Sequence, residues 1–295
     1  MFDSFLVVDW SAAGTPKRGR DSIWWALVAP DGLRRENPPT RAAAMAELEA
    51  VLVRERTAGR RVLAGFDFPF GYPSGVAERL TGRPGWVGLW ERLAEALPAR
   101  PDNRTERFAF AGQLNLAWEA DGPFWGNGER QDHPGLPRRK PSGYGEALPP
   151  EWRIVERLQR AQPGANPKSV WQLAGAGSVG SQALTGIACL ERLRRRSALA
   201  AETEVWPFET GLAPPTSPIC IAEVYPSLVP VQPLPGEMKD AAQVSALATY
   251  FADLDRAGAL ADLFTAPGLV DSADRKIVAT EEAWILGALS PPHGP

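Results

Sequence analysis

The chain has little of the chemistry that most often builds metal centres and nucleophile systems: its 295 residues include 2 His and 2 Cys. Cys189 and Cys220 form no CxxC pair, and the histidines are His133 and His293. This supply leaves a zinc site and a Ser-His or Cys-His nucleophile poorly provided for, so catalysis is expected to use carboxylates, Lys, Ser or Tyr. No sign of charge dominates either, with 32 basic against 35 acidic side chains and a net charge of -3. Nucleic-acid contact must then rest on local basic clusters, not on the field of the whole molecule. Long apolar runs are also missing. Ser169 to Leu190 is free of charge, but Gln172, Gln182, hydroxyls and glycines mark it as a buried loop-helix segment and not a membrane span. The opening MFDSFLVVDWS carries Asp3 and Asp9 and only a short apolar run, unlike a signal peptide. With its free cysteines, the chain is expected in a reducing cytoplasm.

What is present is enough apolar material for a sizeable core, 44% of residues, and an ample stock of turn formers, 28 Gly and 29 Pro. Phe5–Val8 reads as a short strand ending at Asp9, Ser22–Ala29 as a second closed by Asp31-Gly32, and Leu33–Arg35 as a return strand. Thr40 is a good N-cap for a helix from Arg41 to Thr57, with Gly59 at its C-terminal end. Arg61–Phe66 follows as a buried strand ending in Asp67. The order is β-β-β-α-β. Beyond Pro69 the pattern is less regular: helices are expected near Gly85–Ala96, Pro150–Ala161 and Gly180–Leu199, and residues 122–150 read as a long loop. Regular order returns with a strand over Pro218–Val224, a helix from Glu237 to Ala257 and a last helix near Glu281–Leu289.

Three apolar strands thus reach a carboxylate at or near their C-terminal ends: Asp9, Asp67 and Glu223. A fourth acid, Asp240, lies in the first turn of a following helix. Ligand crevices of open α/β sheets lie outside the carboxyl ends of the strands, so these groups are expected to converge. Each alone is ordinary turn or helix-start chemistry; four in this order point to a site. Clustered carboxylates raise one another's pKa unless a cation joins them, and hard oxygen ligands suit Mg²⁺ or Mn²⁺. Ser11, Lys17 and Arg20 follow Asp9, and Lys239 precedes Asp240, where they are candidates for binding a phosphate. Arg138-Arg139-Lys140 and Arg192 to Arg196 are further basic clusters, the second reading as the charged end of a helix. Trp125, in a Gly-flanked stretch, is a candidate for stacking on a base, while most of the 11 Trp are expected in the core. Gly175 to Gly180 satisfies GxGxxG without the strand and the later acid that a dinucleotide site needs, so these glycines read as packing positions.

The stretches VVDWSA, GFDFPFGYP, AEVYPS and MKDAAQVSAL resemble a poorly characterised bacterial family of predicted nucleases with a ribonuclease H-like fold. Some relatives in that family carry the label of molybdopterin-guanine dinucleotide synthesis proteins. The resemblance extends to GPFWGNG and WQLAGAGSVGSQ. It implies that Asp9 is the first-strand acid, Asp67 the fourth-strand acid, Asp240 the acid of the closing helix and Glu223 an additional ligand or base, all four acting as metal ligands. The chain departs from the pattern at Gln243, where resolvases of this superfamily carry a second acid.

These readings predict one α/β domain over 1–295, with a ribonuclease H-like core of 1–70 and 216–295 and an insertion over about 71–215. The expected activity is that of a Mg²⁺- or Mn²⁺-dependent phosphodiester hydrolase, a nuclease, acting on nucleic acid or a nucleotide without a membrane partner. Two alternatives stand beside it. One is a non-catalytic accessory protein of molybdenum-cofactor or nucleotide metabolism. The other is an ATP-dependent phosphotransferase of actin-like architecture, with Asp9 to Thr15 as a phosphate loop. The sequence does not choose among DNA, RNA and small nucleotides, nor does it give the oligomeric state.

Overall fold

The computed structural model describes residues 1–119 and 121–290; His293 lies outside them. Six strands form one mixed sheet in the order β3-β2-β1-β4-β6-β5. These are β1 (Ser4–Asp9), β2 (Trp24–Ala29), β3 (Gly32–Glu36), β4 (Val62–Asp67), β5 (Thr203–Trp206) and β6 (Ile219–Glu223). The first three form an antiparallel meander, and β1, β4, β6 and β5 run parallel. The helices are α1 (Arg41–Thr57), α2 (Val76–Thr81), α3 (Trp86–Ala96), α4 (Arg107–Asn115), α5 (Ile154–Arg160), α6 (Gly180–Arg194), α7 (Lys239–Arg256), α8 (Leu260–Leu263) and α9 (Ser272–Ile277).

Period-two alternation sorts the strand residues between two cores. Leu6 and Val8 of β1, with Ala64 and Phe66 of β4, face a large cluster that includes Leu48, Val51 and Leu52 of α1 and Ile187 of α6. Phe5 and Val7, with Leu63, face a second cluster built on Val244, Leu247 and Phe251 of α7. Covered on both faces, the central strands are apolar throughout, as parallel strands usually are. Thr40 caps α1 by accepting from the Ala43 amide at 3.1 Å, and Gly59 takes the left-handed conformation just past the helix.

The strands of the first 70 residues lie where the apolar runs place them, as do α1, α3 and α7. Trp24 and Trp25 fall on opposite faces as alternation requires, with Trp25 fully buried and Trp24 half-buried. Two expectations need correction. The helix expected over Gly180–Leu199 stops at Arg194. The helix expected over Glu281–Leu289 is a π-helical turn over Val278–Glu282, after which Ala283 has φ +63° and Ile285 bridges to Glu223. Its carboxylates tie other segments together instead of extending a helix: Glu281 accepts from Gly75 at 2.7 Å and Glu282 from Ser74 at 2.9 Å. The short strand β5 and the helices α2 and α4 add elements within the irregular region.

Residues 122–150 form no helix or strand and are held by isolated bridges such as Trp125 with Gln172. Gly180 is a packing glycine, since a Cβ there would lie 2.4 Å from the Val170 carbonyl oxygen. Among the described residues, no helix is long and apolar enough to cross a membrane.

Candidate active site between two clefts

The register sets the centre of the site. β1 and β4 are parallel neighbours whose last pair is Asp9 with Asp67, so two carboxylates leave adjacent strand ends on the same face of the sheet. The helix on that face is α7, and Asp240 in its first turn is the third acid. Its Oδ2 accepts from the Asp21 amide at 2.9 Å, which joins the start of α7 to the β1–β2 connection.

Neither Asp9 nor Asp67 receives a hydrogen bond or an ion pair from any described side chain. Burial, together with the charges of Asp67, Asp240 and Asp21, holds Asp9 well above the usual carboxylate range. Asp67 is pushed up to about 7, first by burial and then by Glu223 and Asp240. Two half-buried acids side by side without a cation are electrostatically unfavourable in their ionised form.

Glu223 sits differently from the other three. It pairs in register with Phe66, so alternation turns it toward the face opposite Asp67. There both oxygens are occupied: Oε1 takes Arg153 Nη2 at 2.6 Å, and Oε2 takes Arg153 Nη1 at 2.8 Å and the Phe70 amide at 2.8 Å. Arg153 is fully buried and also grips Glu156 at 2.5 Å and the Glu282 carbonyl at 2.8 Å. Burial opposes its charge, yet Glu156 and Glu223 raise its pKa, so the guanidinium stays protonated. Glu223 is thus the partner of a buried arginine, where the sequence led us to expect a metal ligand. Arg153 itself escaped the sequence reading, because nothing local distinguishes it from the chain's other arginines.

Two clefts flank the acids. One, of about 550 Å³, is lined by Asp67, Glu223, Arg153, Lys168, Tyr225 and apolar groups such as Phe68 and Ile285. The other, of about 680 Å³, is lined by Ser11 to Gly14, Lys17, Asp21, Arg104 to Phe108 and the segment leading into α6. Ser178 and Gln182 line both, and Gln182 donates to the Trp10 carbonyl at 2.7 Å, one residue beyond Asp9. Of the paired acids, Asp67 lines the smaller cleft, and Ser11, two residues beyond Asp9, lines the larger.

The remaining candidates divide. Ser11 and Lys17 line the larger cleft, whereas Arg20 and Lys239 are exposed and line neither. Gln243 points to Ser227, donating at 3.3 Å. Arg138, Lys140, Arg194, Arg195 and Arg196 are all paired with acids. Trp125 is half-buried against the core, not presented as a free platform. The described residues include no ready-made group of three or more His, Cys, Asp or Glu arranged to hold a metal ion. What they offer is a pair, Asp9 and Asp67, with Asp240 nearby. This pair fits Mg²⁺ or Mn²⁺ bound the way Mg²⁺ usually is, through one or two carboxylates completed by water and substrate phosphate. Compared with known proteins, the chain matches no family model, no curated protein and no solved structure.

Proposed function

We propose that the protein is a divalent-metal-dependent phosphodiester hydrolase, a nuclease or nucleotide phosphodiesterase built on a ribonuclease H-like core. The observation that carries this reading is the Asp9–Asp67 pair. Two carboxylates are brought together by strand register, held at raised pKa and given no protein cation. The strand order, a meander followed by parallel strands added beyond β1, supports the finer fold reading.

In this reading Asp9 and Asp67 hold the metal, and Asp240 stands by to orient its water or a further ligand. A bound Mg²⁺ or Mn²⁺ would neutralise the phosphate and lower the pKa of an attacking water. The chain's own contribution is positional. The paired strand ends fix the two acids, and the Asp21 amide fixes Asp240. Arg153 holds Glu223 in place on the opposite face, and Glu223 is one of the groups that raise the pKa of Asp67. The single sheet, without a duplicated half among the described residues, gives the actin-like phosphotransferase reading no second support.

The test is calorimetric titration of metal-stripped protein with Mn²⁺, comparing wild type with an Asp9→Asn/Asp67→Asn variant of verified fold. Micromolar or tighter binding in the wild type, lost in the variant, together with metal-dependent cleavage of a phosphodiester, is the expected result. Metal binding that survives both substitutions sinks the assignment. No binding with or without substrate would turn the reading toward an accessory protein.

A further inference from the structure

The larger cleft contains a cation that the rest of the fold does not use. Arg107, at the start of α4, donates Nε to Ser181 Oγ at 2.9 Å, and Ser181 is itself oriented by donating to the Leu173 carbonyl at 2.7 Å. The guanidinium lies over the Phe108 ring, 4.3 Å from its centroid. Contact on two sides fixes the group, yet no described atom accepts a hydrogen bond from either Nη, and no carboxylate pairs with it. Burial and the neighbouring Arg41 draw its pKa down to about 10, which still leaves it charged at neutral pH. In the same cleft the buried Thr105 hydroxyl has no partner. A buried hydroxyl without a partner is costly, and a planar fork of free N–H groups matches the oxygens of a phosphate.

No described acid of this cleft forms an ion pair with Arg107, although the charge of Glu129 acts on it. Asp21 lies 3.6 Å from Lys17, Glu129 holds His133 at 2.8 Å, and Glu106 is exposed at the rim. Ser11, two residues beyond Asp9, lines this cleft, and Gln182 lines both it and the cleft that holds Asp67, so a chain of phosphates passing the acids would enter it.

We propose that Arg107, assisted by Lys17 and the Thr105 hydroxyl, binds a substrate phosphate adjacent to the one that reacts, so that the substrate carries at least two phosphates. The ligand is an oligonucleotide or a nucleotide with a phosphate chain. The proposal deepens the phosphodiester reading and rests on it for the identity of the ligand.

The experiment is equilibrium binding in EDTA, using fluorescein-labelled oligothymidylate followed by anisotropy and inorganic pyrophosphate as competitor. Wild type, Arg107→Gln, Arg107→Lys and Asp9→Asn are compared, each checked for native circular dichroism. Arg107→Gln should weaken oligonucleotide or pyrophosphate binding about tenfold or more and lower the salt slope by about one. Arg107→Lys, which keeps charge but loses the fork, should fall between, and Asp9→Asn should bind at least as well as wild type. Strong displacement by pyrophosphate identifies a small nucleotide, and weak displacement identifies the polymer. Arg107→Gln binding like wild type, or a wild type that binds neither probe, overturns the proposal. The two readings fail separately: a protein that does not bind Mn²⁺ but loses pyrophosphate with Arg107→Gln retains the phosphate subsite and loses the hydrolase.

Discussion

At Asp67 a single side chain links the site to stability. Its folded pKa is raised to about 7 by burial, Glu223 and Asp240, so the folded state holds a proton that the unfolded chain releases near the ordinary carboxylate value. Folding therefore loses stability from this group as pH rises from the unfolded value toward 7, and the penalty is complete above that. Glu282, also raised to about 7 by burial, acts in the same direction and cancels when two variants sharing it are compared. In metal-free protein Asp67→Asn should already gain modestly over wild type at pH 5, which lies above the unfolded carboxylate value. At pH 8 the gain should be larger by roughly 1–3 kcal/mol, since each unit of displacement is worth about 1.4 kcal/mol. Urea unfolding at the two pH values checks this. A difference that does not change with pH would mean that the carboxylate is not held in the environment described.

Among the elements, the tie between α5, β6 and the π-helical turn depends on one guanidinium. Arg153 is surrounded by Glu156, Glu223 and the Glu282 backbone, while Ile154 donates its amide to the Glu282 carboxylate at 2.5 Å. Arg153→Met leaves buried carboxylates without their cation and should cost about 3–5 kcal/mol. Arg157→Met, one turn along, breaks only an exposed pair with Asp274 and should change stability by about 0–1 kcal/mol. Urea midpoints of the two variants decide between a central and an incidental role, equal values ruling out the former. The contrast between these arginines also marks the limit of sequence reading. β1, β4 and α1 were legible because apolar runs, a Thr N-cap and a terminal Gly are local signals. The Asp9–Asp67 pair followed from strand ends alone. The four-residue β5, the helix α4 and the distant partners of Arg153 and Arg107, Glu223 and Ser181, depend on long-range packing of an irregular region, for which neighbouring residues carry no pattern.

Across the whole molecule, the sheet and the irregular region supply different halves of one site. The early strands and α7 bring the acids, and the segments between β4 and β5 bring Arg107, Lys168 and part of the walls of both clefts. A metal bound between the strand ends should then stabilise the entire fold, because it binds only where Asp9 and Asp67 are paired. With free Mn²⁺ at about 100 times its dissociation constant the gain is about 2.7 kcal/mol. For a chain of this size that corresponds to a rise in melting temperature of roughly 5 °C. The rise should be present at pH 8 and much smaller at pH 5.5, where the proton on Asp67, with its pKa of about 7, competes with the metal. It should be absent from Asp9→Asn/Asp67→Asn at either pH. Differential scanning fluorimetry with Mn²⁺ and with Ca²⁺ as control measures all three. An equal rise in the double variant would assign the binding to other surface carboxylates and remove the strand ends from the chemistry, whereas loss of the rise on both substitution and acidification would tie metal, proton and fold to the same pair of side chains.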